Sequence, residues 1–123
     1  MNAARVGCSL FAALFSLAAA EVASAATSFP GGDYDAGGVT LSFGSGGKYR
    51  VLQGSAAMIE GTYRTEGDKL VLTDVSGPYA CPADKKSGTY AWHVEGNALT
   101  LTKVDDACDD RAADLAAHPW QKK

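Results

Sequence analysis

The side chains able to carry chemistry are few, and their spacing argues against catalysis. The 123-residue chain has two histidines and three cysteines. Strand alternation turns His93 toward solvent, and His118 precedes Pro119. Covalent catalysis needs a nucleophile beside a base that a third group orients, and the chain has no Gly-x-Ser-x-Gly elbow. Cys81 and Cys108 form an even pair once Cys8 is set aside. In an exported chain such a pair is read as a bridge, not as thiolates. No enzymatic activity and no cofactor are expected.

Carboxylates are the second candidate chemistry. Asp105, Asp106, Asp109, Asp110 and Asp114 cluster near the C-terminus, and Ca²⁺ takes about 6–8 oxygen ligands. The cluster lacks an Asp-x-Asp-x-Asp-Gly loop and a bidentate Glu at the required offset. It is read as a solvated acidic loop at the start of a short helical turn, with Arg111 neutralising part of it. No metal is expected. The third candidate is aromatic: Phe43, Tyr49, Tyr63, Tyr90 and Trp92 could line a cavity for a small apolar ligand. The plainer alternative is that their rings fill the interior. If a cavity exists, Gly61 and Gly88 leave room beside Tyr63, Tyr90 and Trp92. A fourth candidate is Ser76–Pro82, a loop stiffened by Pro78 and Pro82, anchored by Cys81 and carrying Tyr79 as a contact residue for a protein partner.

The elements that position these residues follow from a duplication. Gly61-Thr62-Tyr63 leads through Glu66-Gly67-Asp68 to Leu70-Val71-Leu72-Thr73, then Val75 and Cys81. Gly88-Thr89-Tyr90 leads through Glu95-Gly96-Asn97 to Leu99-Thr100-Leu101-Thr102, then Val104 and Cys108. Each copy reads as strand, tight turn, strand, loop, cysteine. Further alternating runs lie at Val39–Phe43, Lys48–Gln53 and Ala57–Arg64, with a short first strand near Asp33–Asp35. A helical turn is expected at Asp109–Leu115, and a last strand within Ala113–Trp120 with Leu115 and Trp120 packed. The fold class is all-β: a small antiparallel up-and-down barrel of seven or eight strands with a short helical turn near the C-terminus. A two-sheet sandwich is the alternative. The inward set is Val39, Leu41, Phe43, Tyr49, Val51, Ile59, Tyr63, Leu70, Leu72, Tyr90, Trp92, Val94, Leu99 and Leu101. In such a meander Cys81 and Cys108 each follow a descending strand, so they meet at one end and close a loop of about 27 residues.

The N-terminus is read as an export signal. Arg5 is basic, Val6–Ala20 is apolar, and Ala23-Ser24-Ala25 is a small-x-small cleavage site. The apolar run is shorter than the about 20 residues a spanning helix needs. Residues 1–25 are thus a signal peptide and 26–123 the barrel domain, placed in the periplasm or outside the cell. A formal net charge of −3 argues against nucleic acid or anionic lipid as partner. No membrane span is expected in the mature chain.

With Gly32-Asp33-Tyr34 at the first strand, the antiparallel meander and the late Arg111, the mature chain resembles small bacterial lipocalin-like proteins of the calycin type. That family usually carries tryptophan where this chain has Tyr34. The resemblance implies a closed barrel binding a small apolar molecule or another protein, with Arg111 packed across Tyr34. Ser87-Gly88-Thr89-Tyr90 is similar to a serine-glycine-tyrosine motif of bacterial lysozyme inhibitors. The expected function is non-catalytic binding of a small apolar ligand in the barrel. The alternatives are an extracytoplasmic inhibitor or interaction protein acting through the Ser76–Pro82 loop, and a purely structural envelope protein.

Overall fold

Glycine-rich turns cut the alternating segments into strands, and each strand pairs with the next. The computed structural model describes residues 28–123. The expected signal segment 1–25, with Cys8, and the expected mature start at Ala26 lie outside the described residues. The strands are β1 (Gly32–Ala36), β2 (Val39–Gly44), β3 (Lys48–Gln53), β4 (Ala56–Glu66), β5 (Lys69–Ser76), β6 (Ser87–Glu95), β7 (Ala98–Asp106) and β8 (Trp120–Lys122). All pairings are antiparallel, and the order is a closed barrel β1 to β8. β8 closes it by pairing Tyr34 with Lys122 and Asp35 with Gln121 on one side, and Ala98 with Gln121 and Leu99 with Trp120 on the other. Closure removes the unpaired edges that a sandwich would leave, and the sandwich alternative is thereby excluded.

We call the end reached by the C-termini of β1, β3, β5 and β7 the upper mouth. It carries the 77–86 loop and helix α1 (Asp109–Ala116). The helix covers the expected Asp109–Leu115 turn and one residue more, and the expected strand within Ala113–Trp120 is corrected to begin only at Trp120. Arg111, Ala112 and Leu115 are buried on one helical face, so burial at helical spacing outweighs the weak alternation read there. Asp109 and Asp110 occupy the first turn, where carboxylates complement the helix dipole. Leu115 and Trp120 are both buried, as expected, and Trp120 Nε1–H donates to Leu115 O at 3.1 Å.

Every residue of the expected inward set is buried or packs against the core. Aromatic rings fill the lower part of the interior. At the lower end Phe29, which strand reasoning left in a loop, meets Phe43, Trp92 and Tyr63 at ring distances of 5.0, 5.3 and 5.9 Å. Above them Phe43 stacks on Tyr49 at 6.2 Å. Tyr34 is buried, and its hydroxyl donates to Pro30 O. The cation over its ring is Lys122 Nζ, 4.9 Å from the centroid. The expected packing of Arg111 across Tyr34 is therefore corrected, because two interior carboxylates claim Arg111 instead.

Candidate functional site

The duplicated segments build a charged cluster beneath the upper mouth. In the first copy Gly61 lies opposite Asp74, and in the second Gly88 lies opposite Asp106. Each copy has a register shift there, skipping Val75 in β5 and Val104 in β7. A bulge inserts one unpaired residue and changes which side chains face inward. That is why Asp106, five positions after the inward Leu101, also points into the barrel. The two aspartates play parallel parts. Asp74 Oδ2 accepts from the Cys81 N–H at 2.8 Å, and Asp106 Oδ1 accepts from the Cys108 N–H at 2.9 Å. Cys81 and Cys108 are joined as a disulfide, with Cα atoms 6.2 Å apart.

Arg111 of α1 enters between the two carboxylates. Its Nη2 lies 2.7 Å from Asp106 Oδ1, and its Nη1 lies 3.1 Å from Asp74 Oδ1 as an ion pair without hydrogen-bond alignment. The Arg111 side chain is 1% exposed and both carboxylates 0%. Arg111 Nε–H also donates to Asp106 Oδ2 at 2.8 Å, and Nη1 and Nη2 donate to Lys86 O and Lys85 O at 2.8 and 3.1 Å. The Tyr90 hydroxyl donates to Asp106 Oδ2. Burial alone pushes the Asp106 carboxyl up; the donors from Arg111, Tyr90 and Cys108 outweigh it and hold it below its ordinary value of 3.8. Burial likewise weakens the Arg111 charge, yet Asp106 and Asp74 more than restore it, and its pKa is raised.

The depressed carboxyl gives a pH dependence. A group whose folded pKa lies below its unfolded value contributes stability that is complete above the unfolded value and is lost as pH falls through the folded one. Urea midpoints taken from about pH 5 down to about pH 2 should therefore fall. Asp106→Asn should start less stable and show a flatter acid limb. An equally steep limb in that variant would remove Asp106 from this role.

The glycines are not space left for a ligand. A Cβ on Gly61 would strike the Thr73 carbonyl, and one on Gly88 would strike the Asp106 carboxylate and approach Arg111 Nη2 to 2.9 Å. The room expected beside the aromatics is therefore occupied by the β5 backbone and by the ion pair. Gly88→Ala should separate Asp106 from Arg111 and cost about 1–3 kcal/mol in urea unfolding. Gly61→Ala should cost at least as much, because backbone cannot swing aside.

The concavity lies above this cluster, at the mouth. A cleft of about 400 Å³, partly open to solvent, is lined by Val39, Val51, Met58, Ile59, Tyr79 and Ala113, with Gln53, Asp110, Arg111 and Asp114. A second cleft of about 210 Å³ adjoins it under α1, sharing Val39, Val51, Ile59, Arg111 and Asp114, and reaching Tyr49, Leu115 and Trp120. Of the five aromatic candidates, Tyr49 lines this space; Phe43, Tyr63, Tyr90 and Trp92 do not. Tyr63 donates to Gly44 O at 3.2 Å and Trp92 Nε1–H to Gly67 O at 3.2 Å. Tyr49 is fully buried, and its hydroxyl has no hydrogen-bond partner. Burial pushes this phenol up, as does the nearby Asp74 charge, so it stays protonated.

The loop candidate meets the same place. Tyr79 is 69% exposed and lines the larger cleft. Its N–H donates to Met58 O at 3.1 Å. Pro78 and Pro82 are exposed on either side of it. Both histidines are exposed. Among the described residues, no group of three or more His, Cys, Asp or Glu is placed to hold a metal ion, and no helix is long and apolar enough to cross a membrane. Sequence reasoning missed Asp74 and treated Asp106 as solvated; the pairing of each copy's glycine with a downstream aspartate before the cysteine was the available signal.

The fold and site define a disulfide-bridged eight-stranded barrel with a cleft at its mouth. No protein-family model, curated protein or solved structure matches the chain.

Proposed function

We propose that the protein is a non-catalytic, exported binding protein, and that its ligand is a small apolar molecule held at the barrel mouth. The observation that carries this reading is the cleft of about 400 Å³ floored by Val39, Val51, Met58 and Ile59, since small-molecule sites are concave and mainly apolar. The packing of the aromatic rings against one another supports a ligand at the mouth over the central position that the aromatic pattern suggested. A lipocalin-like relationship fits this reading through barrel closure alone. The test is native mass spectrometry of the protein purified from its own host, paired with titration of the neutral probe N-phenyl-1-naphthylamine. Fluorescence enhancement is expected for the wild type. Ala113→Trp, an exposed helix position lining the cleft, should weaken it about tenfold or more with little change in stability. No enhancement and no co-purifying small molecule would refute the ligand reading.

A second reading has its own support in Tyr79, the exposed aromatic on the bridged loop. Exposed aromatics on a rigid loop serve as anchors for protein partners. A co-purifying protein lost on Tyr79→Ala would favour an inhibitor or interaction role.

A further inference from the structure

We infer that the mouth holds a linear amphiphile: a single alkyl-type chain threaded beneath α1, with an uncharged hydrogen-bonding head left at the outer end. The inference rests on the ligand reading above and specifies the ligand's shape and class.

The first observation is that the two clefts form one continuous run. Val39, Val51 and Ile59 on the barrel side, and Arg111 and Asp114 on the helix side, line both. Beyond these shared walls the clefts part along α1. The larger one touches Asp110 and Ala113 near the helix start. The smaller one touches Leu115 and Ala117 near its end, and then Trp120. From Asp110 to Ala117 the helix rises about 10 Å, at about 1.5 Å per residue. The helix is also tethered at both ends. Cys108 at its N-cap is bridged to Cys81, and Arg111 is held by two carboxylates. Past its C-terminus Trp120 is buried and pairs with Leu99. A helix fixed in this way does not lift to admit a broad body. A compact ring system would sit in the outer cleft and leave the inner one, about 210 Å³, unused. An extended chain occupies both.

The second observation is that polarity changes along the run, which sets the direction of the chain. The far walls of the inner cleft are Ala36, Leu115, Ala117 and Trp120, with the exposed His118 beside them. The uncharged hydrogen-bonding side chains, Gln53 and Tyr79, line the outer cleft alone. An apolar tail therefore belongs inside and a polar head outside, since burying an unpaired polar group is costly. The charge on Arg111 is taken by Asp74 and Asp106, and it is the one cation lining the outer cleft. Asp110 and Asp114 repel an anion, and as exposed groups they are screened by solvent. A neutral hydroxyl or amide head, which can both donate and accept, matches Gln53 and Tyr79.

Two experiments test this. In the first, hexan-1-ol, octan-1-ol, decan-1-ol and decanoate are titrated by calorimetry at pH 8. Affinity among the alcohols should rise about fourfold for each methylene that enters the inner cleft. Decanoate should bind about tenfold or more weakly than decan-1-ol. Ala117→Trp, at an exposed position that lines the inner cleft, should make the rise level off at a shorter chain. The second experiment changes nothing at the mouth. The chain has two tryptophans, and Trp92 is bonded to Gly67 O at the lower end. Trp92→Phe thus leaves Trp120, at the inner cleft, as the single fluorophore. Bound 10-bromodecan-1-ol, brominated at its tail, should quench Trp120 strongly, and 2-bromodecan-1-ol, brominated at its head, should not. Affinity that does not grow with chain length, decanoate binding as tightly as decan-1-ol, or equal quenching by the two bromides would overturn the inference. So would binding of N-phenyl-1-naphthylamine without any alcohol, and in each of these cases the apolar-ligand reading stands. Binding of neither the naphthylamine nor any alcohol would overturn both.

Discussion

An Arg111→Leu variant is expected to lose about 3–5 kcal/mol of folding stability. The guanidinium is the group that neutralises two interior carboxylates, and its removal leaves both charges in a site closed to water. It also removes the Arg111 donors to Lys85 O and Lys86 O, leaving Lys86 O with the Asp74 N–H alone at 2.8 Å to hold the 77–86 loop against the mouth. Domains of this size have about 5–15 kcal/mol in total, so the variant should be poorly folded near body temperature. Urea unfolding followed by circular dichroism measures the loss. A rescue separates stranded charge from lost packing: Asp74→Asn and Asp106→Asn combined with Arg111→Met keep the acceptors for the two cysteine N–H groups and remove every charge. That triple variant should recover much of the stability. An Arg111→Leu variant within about 1 kcal/mol of the wild type would show that the ion cluster does not hold the mouth together.

Removing the bridge should have the second-largest effect. Cys81→Ala/Cys108→Ala is expected to cost about 3–4 kcal/mol, the chain-entropy value for a loop of this length. The bridge ties the loop after β5 to the start of α1, and both cysteine N–H groups already bind the carboxylates around Arg111. Bridge and ion cluster thus constrain the same segments, so their losses should not add. A double-mutant cycle between the cysteine pair and Arg111→Leu should give a coupling of about 0.5–3 kcal/mol. Additivity within error would mean the two act independently. Thiol titration of denatured, unreduced protein checks the bridge directly, and should find neither Cys81 nor Cys108 reactive.

Much of this fold could be read from local pattern. Leu41, Phe43, Leu70, Leu72, Leu99 and Leu101 alternate cleanly, glycines mark the turns, and the repeat places the cysteines at one end. What local pattern could not convey was the effect of the bulges. Skipping Val75 and Val104 leaves two valines exposed, at 69% and 50%, and sends Asp106 inward against the parity of its own strand. Phe29 was equally hidden, since a single ring before Pro30 has no period to reveal that it closes the lower end. For the site, the aromatic residues were read correctly as inward, but facing inward did not make a cavity. The rings pack against one another, and the cleft forms where α1 crosses the mouth without filling it. Tyr79 and Asp114 belong to that cleft because of where the loop and helix land, which no spacing in the chain encodes.

The closing strand β8 sets an order of events. It has three residues, and the contacts that seal the barrel join Tyr34 and Asp35 to Lys122 and Gln121. Nearly ninety residues of chain must be delivered between the two halves of that seam. Until Trp120 arrives, β1 and β7 each present an unpaired edge, and Trp120 cannot cover Leu99. Such distant pairings are slow to form. A chain made from its N-terminus therefore cannot seal the barrel until its final segment is free to swing back to the first.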